Sequence, residues 1–453
     1  MAANKLPPGP SSGLLGLRHL SRMGSDYFGH LLDIEREFGD SAYYRVGPVG
    51  VFQFSHPDAM HEVLVAKAKA FRKPLRFVQV FSRWNGQGLV VSDGELWKRQ
   101  RRLVQQAFHP RCLRMHDALI VREARRLAEE VAGEKDVEVG RHFARLTLRV
   151  VAEALFGAEV EDVLGPFAEA VQTLQETSMS DFGAPLLTPL WWPTAARRRM
   201  REAIRLVDQV VTGFVSRRRA SGEQRDDLLS ILLSAIDDEG DGGGMTDRQA
   251  RDECVGLLLG GNETTAVALT WTAYLLARHP EWQQQVRDEI DRVVGRREAT
   301  YDDLEHLPTV EMTLKEAMRL YPPAYVTTRE TLEPVEIAGY PIPQGAQVHL
   351  GIYLAHRDPR WWSDPREFRP PRFADGEPVH RGAYLPFGAG PRACIGRNMA
   401  MMEGALVLTT LLQHLQLSLA DDQHEPELEA QISLHPKHGV RLNLQPRRAV
   451  ASA

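Results

Sequence analysis

Cysteine is scarce in this chain. Three in 453 residues, at 112, 254 and 394, are too few and too widely spaced for a disulfide framework or a thiolate zinc cluster. Such sparing use fits a reducing compartment, so a cytoplasmic location is expected. A long apolar run is also missing at the start. Residues 1–20 offer neither a membrane-anchor segment of about 20 apolar residues nor the apolar core of a secretory signal. Basic charge shows no excess, with 55 Lys and Arg against 60 Asp and Glu and a net charge of −5, and no nucleic-acid partner is expected. Internal repeats and low-complexity linkers are absent as well. The composition that remains, 43% hydrophobic and 25% charged, is that of an ordinary soluble globular protein.

Helical periodicity dominates the chain. Apolar residues recur at three- and four-residue spacing around 57–65 and 93–107, and over 117–133, 143–156, 161–176, 197–219 and 225–236. Strand-like runs occur at 42–46 and 50–54, and 325–351 reads as short strands separated by Gly-Tyr-Pro and Pro-Gln-Gly turns. Asp237 to Gly244 is a Gly/Asp loop, after which a long helix is predicted from an N-cap at Thr246 to His279 before Pro280. Further helices are expected at 281–294 and 309–320. Leu6-Pro-Pro-Gly-Pro10 reads as a stiff extended lead-in covering residues 1–12.

The most specific stretch is Phe387-Gly-Ala-Gly-Pro-Arg-Ala-Cys394-Ile-Gly396-Arg-Asn-Met, just before an apolar run that reads as a helix. Glycines let the backbone turn and approach a flat partner closely. Arg392, Arg397 and the start of the following helix favour thiolate over thiol. A thiolate on a glycine-rich bulge is what a haem iron needs as an axial ligand. A lone cysteine in such a turn is usually structural. Here, however, Phe387, Gly390, Arg392, Cys394 and Gly396 match the Phe-x-x-Gly-x-Arg-x-Cys-x-Gly signature, and the chain resembles the cytochrome P450 family. The resemblance covers most of the chain and implies a mainly α fold with a small β portion. It implies one domain over 1–453, a triangular helix-rich prism with haem between a long distal helix and the cysteine loop. In membrane-bound members a proline hinge follows an anchor helix. Almost nothing precedes it here, so a soluble bacterial form is expected.

Between Cys254 and Ala277 only Glu263 is charged, as in a helix buried on all sides. Gly260 and Gly261 would open a groove in it, and Thr264 can bond back to the Gly260 carbonyl and bend the axis. Glu263 beside Thr264 sets a carboxylate next to a hydroxyl, a start for a proton relay. The run Gly260-Gly-Asn-Glu-Thr-Thr265 is similar to the family's oxygen-activation motif, which assigns Glu263 and Thr264 to proton delivery.

Other residues are assigned by the same resemblance. Glu316 and Arg319, on one helical face, would form with Arg372 a buried network behind the haem. Trp97 and Arg101, one turn apart, resemble the family's propionate clamp, with Arg329 and Arg392 as further propionate partners. Lys98, Arg99, Arg101, Arg102 and Arg397 are candidates for a basic patch that steers an acidic electron carrier, unless they are simply a solvated face.

The function implied is a haem-thiolate monooxygenase using haem b, dioxygen and electrons from NAD(P)H, passed on by a ferredoxin or flavodoxin with its reductase. A monomer without a membrane anchor is expected. The substrate-pocket candidates are Phe71, Phe77, Val80, Phe81 and Leu89 in a loop over 70–90, and Gly256, Leu259 and Gly260 on the distal helix. Ala324, Tyr325 and Val326, then Ile432, Ser433 and Leu434, complete the set. Nearly all are apolar and suit a fatty acid, terpenoid or polyketide, although any of them could equally be core. A peroxide-driven peroxygenase and a non-catalytic haem sensor are the rival readings. The acid–alcohol pair argues against both.

Overall fold

The computed structural model describes residues 6–447, apart from 12, 14–15, 158–163, 185, 375–379 and 422–423. Parts of the lead-in 1–12 and of the helix expected over 161–176 therefore lie outside the described residues.

Around the helix Asp247–Arg278 the rest of the fold is arranged. It starts with a capping box: Thr246 Oγ1 accepts from the Gln249 N–H, and Gln249 Oε1 accepts from the Thr246 N–H at 3.0 Å. His279 ends it, as expected. Two apolar clusters share this helix. One takes its residues up to Leu259, the other those from Ala266 onward, and 260–264 belongs to neither. Val139–Phe156 packs along it most extensively. Trp271 stacks on Tyr321 with ring centroids 3.9 Å apart and donates its indole N–H to the Leu434 carbonyl at 2.9 Å.

Helices Pro308–Leu320 and Arg397–His414 close the second cluster from below. A five-stranded sheet stands to one side. Its strands run in the order Ser41–Val46, Val49–Phe54, Gln347–Leu350, Thr327–Thr331 and Phe71–Arg72. Only the pairing of Val49–Phe54 with Gln347–Leu350 is parallel. Pro8 meets the edge of this sheet, its carbonyl accepting from the Tyr43 N–H at 2.9 Å. Smaller sheets join Leu415–Leu419 and Val137–Glu138 to Arg441–Pro446, and pair Leu428–Ala430 with Leu434–Pro436.

Two elements differ from expectation. The supposed loop over 70–90 contains the helix Leu75–Asn85, because Phe77, Val80, Phe81 and Trp84 fall at helical spacing and Val80, Phe81 and Trp84 are buried. Leu17–Phe38, read as no element from the sequence, is a helix that buries Phe28, Leu31 and Ile34. No helix among the described residues is long and apolar enough to cross a membrane.

Thr246→Ala removes one half of the capping box and is expected to cost about 1 kcal/mol. Thermal melting followed by circular dichroism should show a lower midpoint, and an unchanged midpoint would mean the cap is redundant.

Candidate active site

A cavity of about 550 Å³ opens where the long helix leaves both apolar clusters, a size usual for cofactor and small-molecule sites. Its roof is one stripe of that helix. Gly256, Gly260 and Thr264 recur every fourth residue and all line it. A Cβ at Gly260 would meet nothing within 4 Å, so the expected groove is there. Thr264 Oγ1 donates to the Gly260 carbonyl at 2.7 Å, the expected back-bond.

Glu263 is turned away. One residue along, it is rotated by roughly 100° about the axis and is not on the cavity wall. Its Oε2 accepts from Gln175 Nε2 at 2.7 Å, and its Oε1 lies 3.0 Å from His435 Nε2. The carboxylate thus engages Gln175 and His435 rather than the neighbouring hydroxyl. Sequence adjacency alone suggested a pair that helix geometry separates.

Cys394 also lines this cavity, while Cys112 and Cys254 do not reach it. Its loop needs glycine. Gly390 has φ +70°, and a Cβ there would sit 1.9 Å from the Leu64 carbonyl oxygen. The Cys394 N–H donates to the Phe387 carbonyl at 2.9 Å, closing the loop on itself. Gly396 has an ordinary φ of −86°, and a Cβ there would make only ordinary contacts, 3.7 Å from Phe108 Cε1 and 3.9 Å from Cys394 Sγ, so the protein atoms alone do not demand glycine at this position. Burial pushes the Cys394 thiol up. The backbone N–H groups of Gly396 and Arg397, with the charges of Arg101 and Arg397, pull it down. Arg392, expected to help, pairs with Asp93 and lies 4.3 Å over the Trp97 ring. Arg101 does that work instead.

Basic groups crowd one side of this cavity. Lys73, Arg101, Arg329 and Arg392 line it. Among the described residues Arg329 bonds to Thr327 Oγ1 and the Thr328 carbonyl, and burial draws its guanidinium down to about 10. Lys73 is drawn down to about 7, with its ammonium on the carbonyls of Leu89, Val90 and Ser92. Against these four stand Glu253 on the wall and Asp93, which pairs with Arg392; Glu403, also on the wall, is raised by burial to about 8 and held neutral. A flat group with two carboxylates would balance the remainder. The donor set therefore fits haem, and Trp97, Arg101, Arg329 and Arg392 all line the cavity.

Behind the cysteine wall, Glu316 and Arg319 are completely buried. All five Arg319 N–H groups are used, on Glu316 Oε1 and Oε2 and on the carbonyls of His356, Pro365 and Glu367. Arg372 Nε adds a bond to Glu316 Oε1 at 2.9 Å. The three residues form a scaffold and do not touch the cavity.

The basic patch is largely neutralised. Arg102 is held bidentately by Asp237, Arg99 by Asp241, and Lys98 by Glu95. Two of these carboxylates belong to the 237–244 loop, whose return to this helix no local pattern announces. Among the pocket candidates, Phe77, Leu89, Gly256, Gly260, Ala324 and Val326 line the cavity. The others do not. Phe71, Val80, Phe81, Leu259, Tyr325 and Leu434 fill apolar clusters, Ser433 is buried off the wall, and Ile432 packs on a cluster edge. Helix and strand faces explain the division, since neighbours in sequence point to opposite sides. Lys73, Glu253 and Glu403 were not singled out from the sequence. For Glu253 a signal existed, because it lies three residues before Gly256 on the same stripe.

A sequence model described as "Cytochrome P450" matches residues 7–442. The chain belongs to the cytochrome P450 family. Among its relatives is a cyclooctatin synthase of Streptomyces melanosporofaciens, 35% identical over 389 residues and covering 82% of each chain. An 11-oxo-beta-amyrin 30-oxidase of Glycyrrhiza uralensis is 32% identical, over 90% of this chain and 81% of the relative. Cytochrome P450 72A397 of Kalopanax septemlobus is 31% identical, over 90% and 82%. As a P450 the protein is a monooxygenase of the haem-thiolate type, working on small molecules with dioxygen and NAD(P)H-derived electrons.

Arg319→Leu leaves the buried Glu316 carboxylate with the Arg372 guanidinium and the Arg369 N–H as its donors, both on Oε1. A loss of about 3–5 kcal/mol is expected, seen as a fall in the yield and melting temperature of haem-loaded protein. Normal yield and melting would remove the network from the scaffold.

Proposed function

We propose that this P450 seats haem b between the Thr264 stripe and the Cys394 loop, with the Cys394 thiolate as axial ligand. It would hydroxylate or epoxidise an apolar small molecule. The observation that carries this reading is that Cys394 and Thr264 line one cavity together with an excess of basic groups. When bound, the haem supplies the oxidation chemistry, tuned by its thiolate ligand.

The remaining tasks fall to the chain. Phe387 and Gly396 shape the seat, and the N–H groups of Gly396 and Arg397 favour the anionic sulfur. Trp97, Arg101, Arg329 and Arg392 orient the propionates. Phe77, Leu89 and Val326 keep the space apolar and exclude water. Thr264 Oγ1 presents a hydroxyl at the wall. Glu263, next to Thr264 in sequence and linked to the partly exposed His435, is the acid assigned to replenish its proton.

Electrons would reach the protein, a cytoplasmic monomer with one domain, through a ferredoxin or flavodoxin and its reductase. Neutralisation of Arg99 and Arg102 leaves the docking face less basic than the sequence suggested. The relatives' names, a synthase of cyclooctatin and an oxidase of 11-oxo-beta-amyrin, support a natural-product substrate.

Two variants test the assignments. Cys394→Ala should abolish the red-shifted Soret band of the reduced carbon monoxide complex; an unaltered band means another ligand. Thr264→Ala should divert a large part of the consumed NAD(P)H to hydrogen peroxide while substrate affinity stays within about twofold. Full coupling in that variant would assign the proton to another group.

A further inference from the structure

Far from Cys394 in sequence, apolar side chains gather in water on one short segment. Between the helices Leu164–Gly183 and Ala195–Ser221, Leu186 is 80% exposed, Trp191 71% and Trp192 45%. Phe182, just before them, is exposed as well. Single apolar residues on a surface mean little, but a tryptophan pair with two apolar neighbours marks a place of contact.

This segment is fastened. Arg76 donates to the carbonyls of Asp181 and Ala184, both at 2.5 Å, and Arg83 to the Thr188 carbonyl at 2.9 Å. Arg201 takes the Leu190 carbonyl, and the buried Arg197 joins the Asp181 carboxylate to Thr188 Oγ1. Leu187 and Leu190 pack inward on an apolar cluster. Leu186, Trp191 and Trp192 are left outside. A loose loop would turn its rings onto the body of the protein, whereas this backbone is held at several points with its rings in solvent.

Charge beside the tryptophans has the opposite sign to the chain, whose net charge is −5. Arg198, Arg199 and Arg205 are exposed in the first turns of Ala195–Ser221, and none pairs with a carboxylate among the described residues. Glu202 is the one exposed acid there.

We propose that this segment and the turns that follow it form a docking surface for an anionic lipid bilayer. Tryptophan favours the headgroup level, where its ring is buried and its N–H stays wet, and each nearby arginine gains from an anionic leaflet. Such a contact is peripheral and reversible and needs no spanning helix. A protein partner is the weaker occupant. Protein hot spots need a pocket shaped to each ring, while side chains that stand out this far enter a fluid surface without one.

The surface is also tied to the cavity wall. Arg76 and Arg83 belong to Leu75–Asn85, the helix that sets Phe77 on that wall and Leu75 in solvent. An apolar substrate dissolved in the bilayer would be delivered beside this helix. That delivery rests on the monooxygenase reading above; the lipid contact itself does not.

The test is sedimentation of haem-loaded protein with vesicles at about 0.1 M salt. The vesicles are phosphatidylcholine alone or an equal mixture with phosphatidylglycerol. Mixed vesicles should hold the protein about tenfold more tightly than neutral ones. Trp191→Ser together with Trp192→Ser should weaken binding to mixed vesicles about tenfold or more. Arg198→Gln together with Arg199→Gln should bring mixed vesicles to within about threefold of neutral ones, whose binding stays unchanged. All four side chains are exposed, so the melting temperature and the carbon monoxide spectrum should keep their unaltered values. Those two measurements judge the fold and the monooxygenase reading separately.

No binding to either vesicle overturns the proposal. So does equal binding to both, or binding that survives both double variants, since another surface would then carry it. Size-exclusion chromatography without lipid checks the remaining occupant. A dimer that the double tryptophan variant turns into a monomer would give this surface to a second copy of the chain, and the lipid proposal would fall.

Discussion

A guanidinium with no access to water governs the geometry of this molecule. Arg319 can sit at zero exposure only because its five donors all find acceptors, two on Glu316 and three on backbone carbonyls between His356 and Glu367. Burying that charge pins an irregular segment, which has little regular secondary structure of its own, against the helix Pro308–Leu320. Arg372, reaching the same carboxylate, fixes the next turn. Chain direction is thereby settled shortly before the Cys394 loop. That loop in turn has no tolerance, since Gly390 crosses the Leu64 carbonyl at a distance no side chain survives. A polar network thus supplies the specificity that packing alone would not impose on a loop.

Charge is distributed with similar economy. Acidic partners meet the outward-facing arginines of the helix Gly94–Gln105, through Asp237 and Asp241. The inward-facing Arg101 and the nearby Arg329 and Arg392 find backbone atoms, a hydroxyl or a single carboxylate. Such a cavity is preorganised for anionic groups: its donors are oriented before anything binds. The cost of drying those cations shows in the lowered values of Arg329 and Lys73.

The long helix separates two kinds of chemistry by rotation. Its cavity stripe carries Glu253, Gly256, Gly260 and Thr264, so polar atoms stand at both ends of an apolar span. Its outer side carries Glu263, held by a residue from Leu164–Gly183 and another from the strand Leu434–Pro436. Movement of either element would be felt at that carboxylate.

Local rules were enough for much of this protein. Capping at Thr246, the stop at His279 and the back-bond of Thr264 are short-range events, decided within a few residues of chain. Left-handed glycines at 388 and 390 belong to the same class, and the cysteine loop was legible for that reason. The helices Leu17–Phe38 and Leu75–Asn85 were not, because charged residues blur the apolar spacing of one and the other was taken for a loop. Only tertiary structure decided which neighbours face the cavity. Phe77 lines it and Val80 does not; Thr264 lines it and Glu263 does not. A sequence records adjacency, whereas the direction of a side chain depends on how each element is rotated against the rest. The same holds for charge: Arg99 and Arg102 look free in the sequence until a loop some 140 residues later folds back to neutralise them.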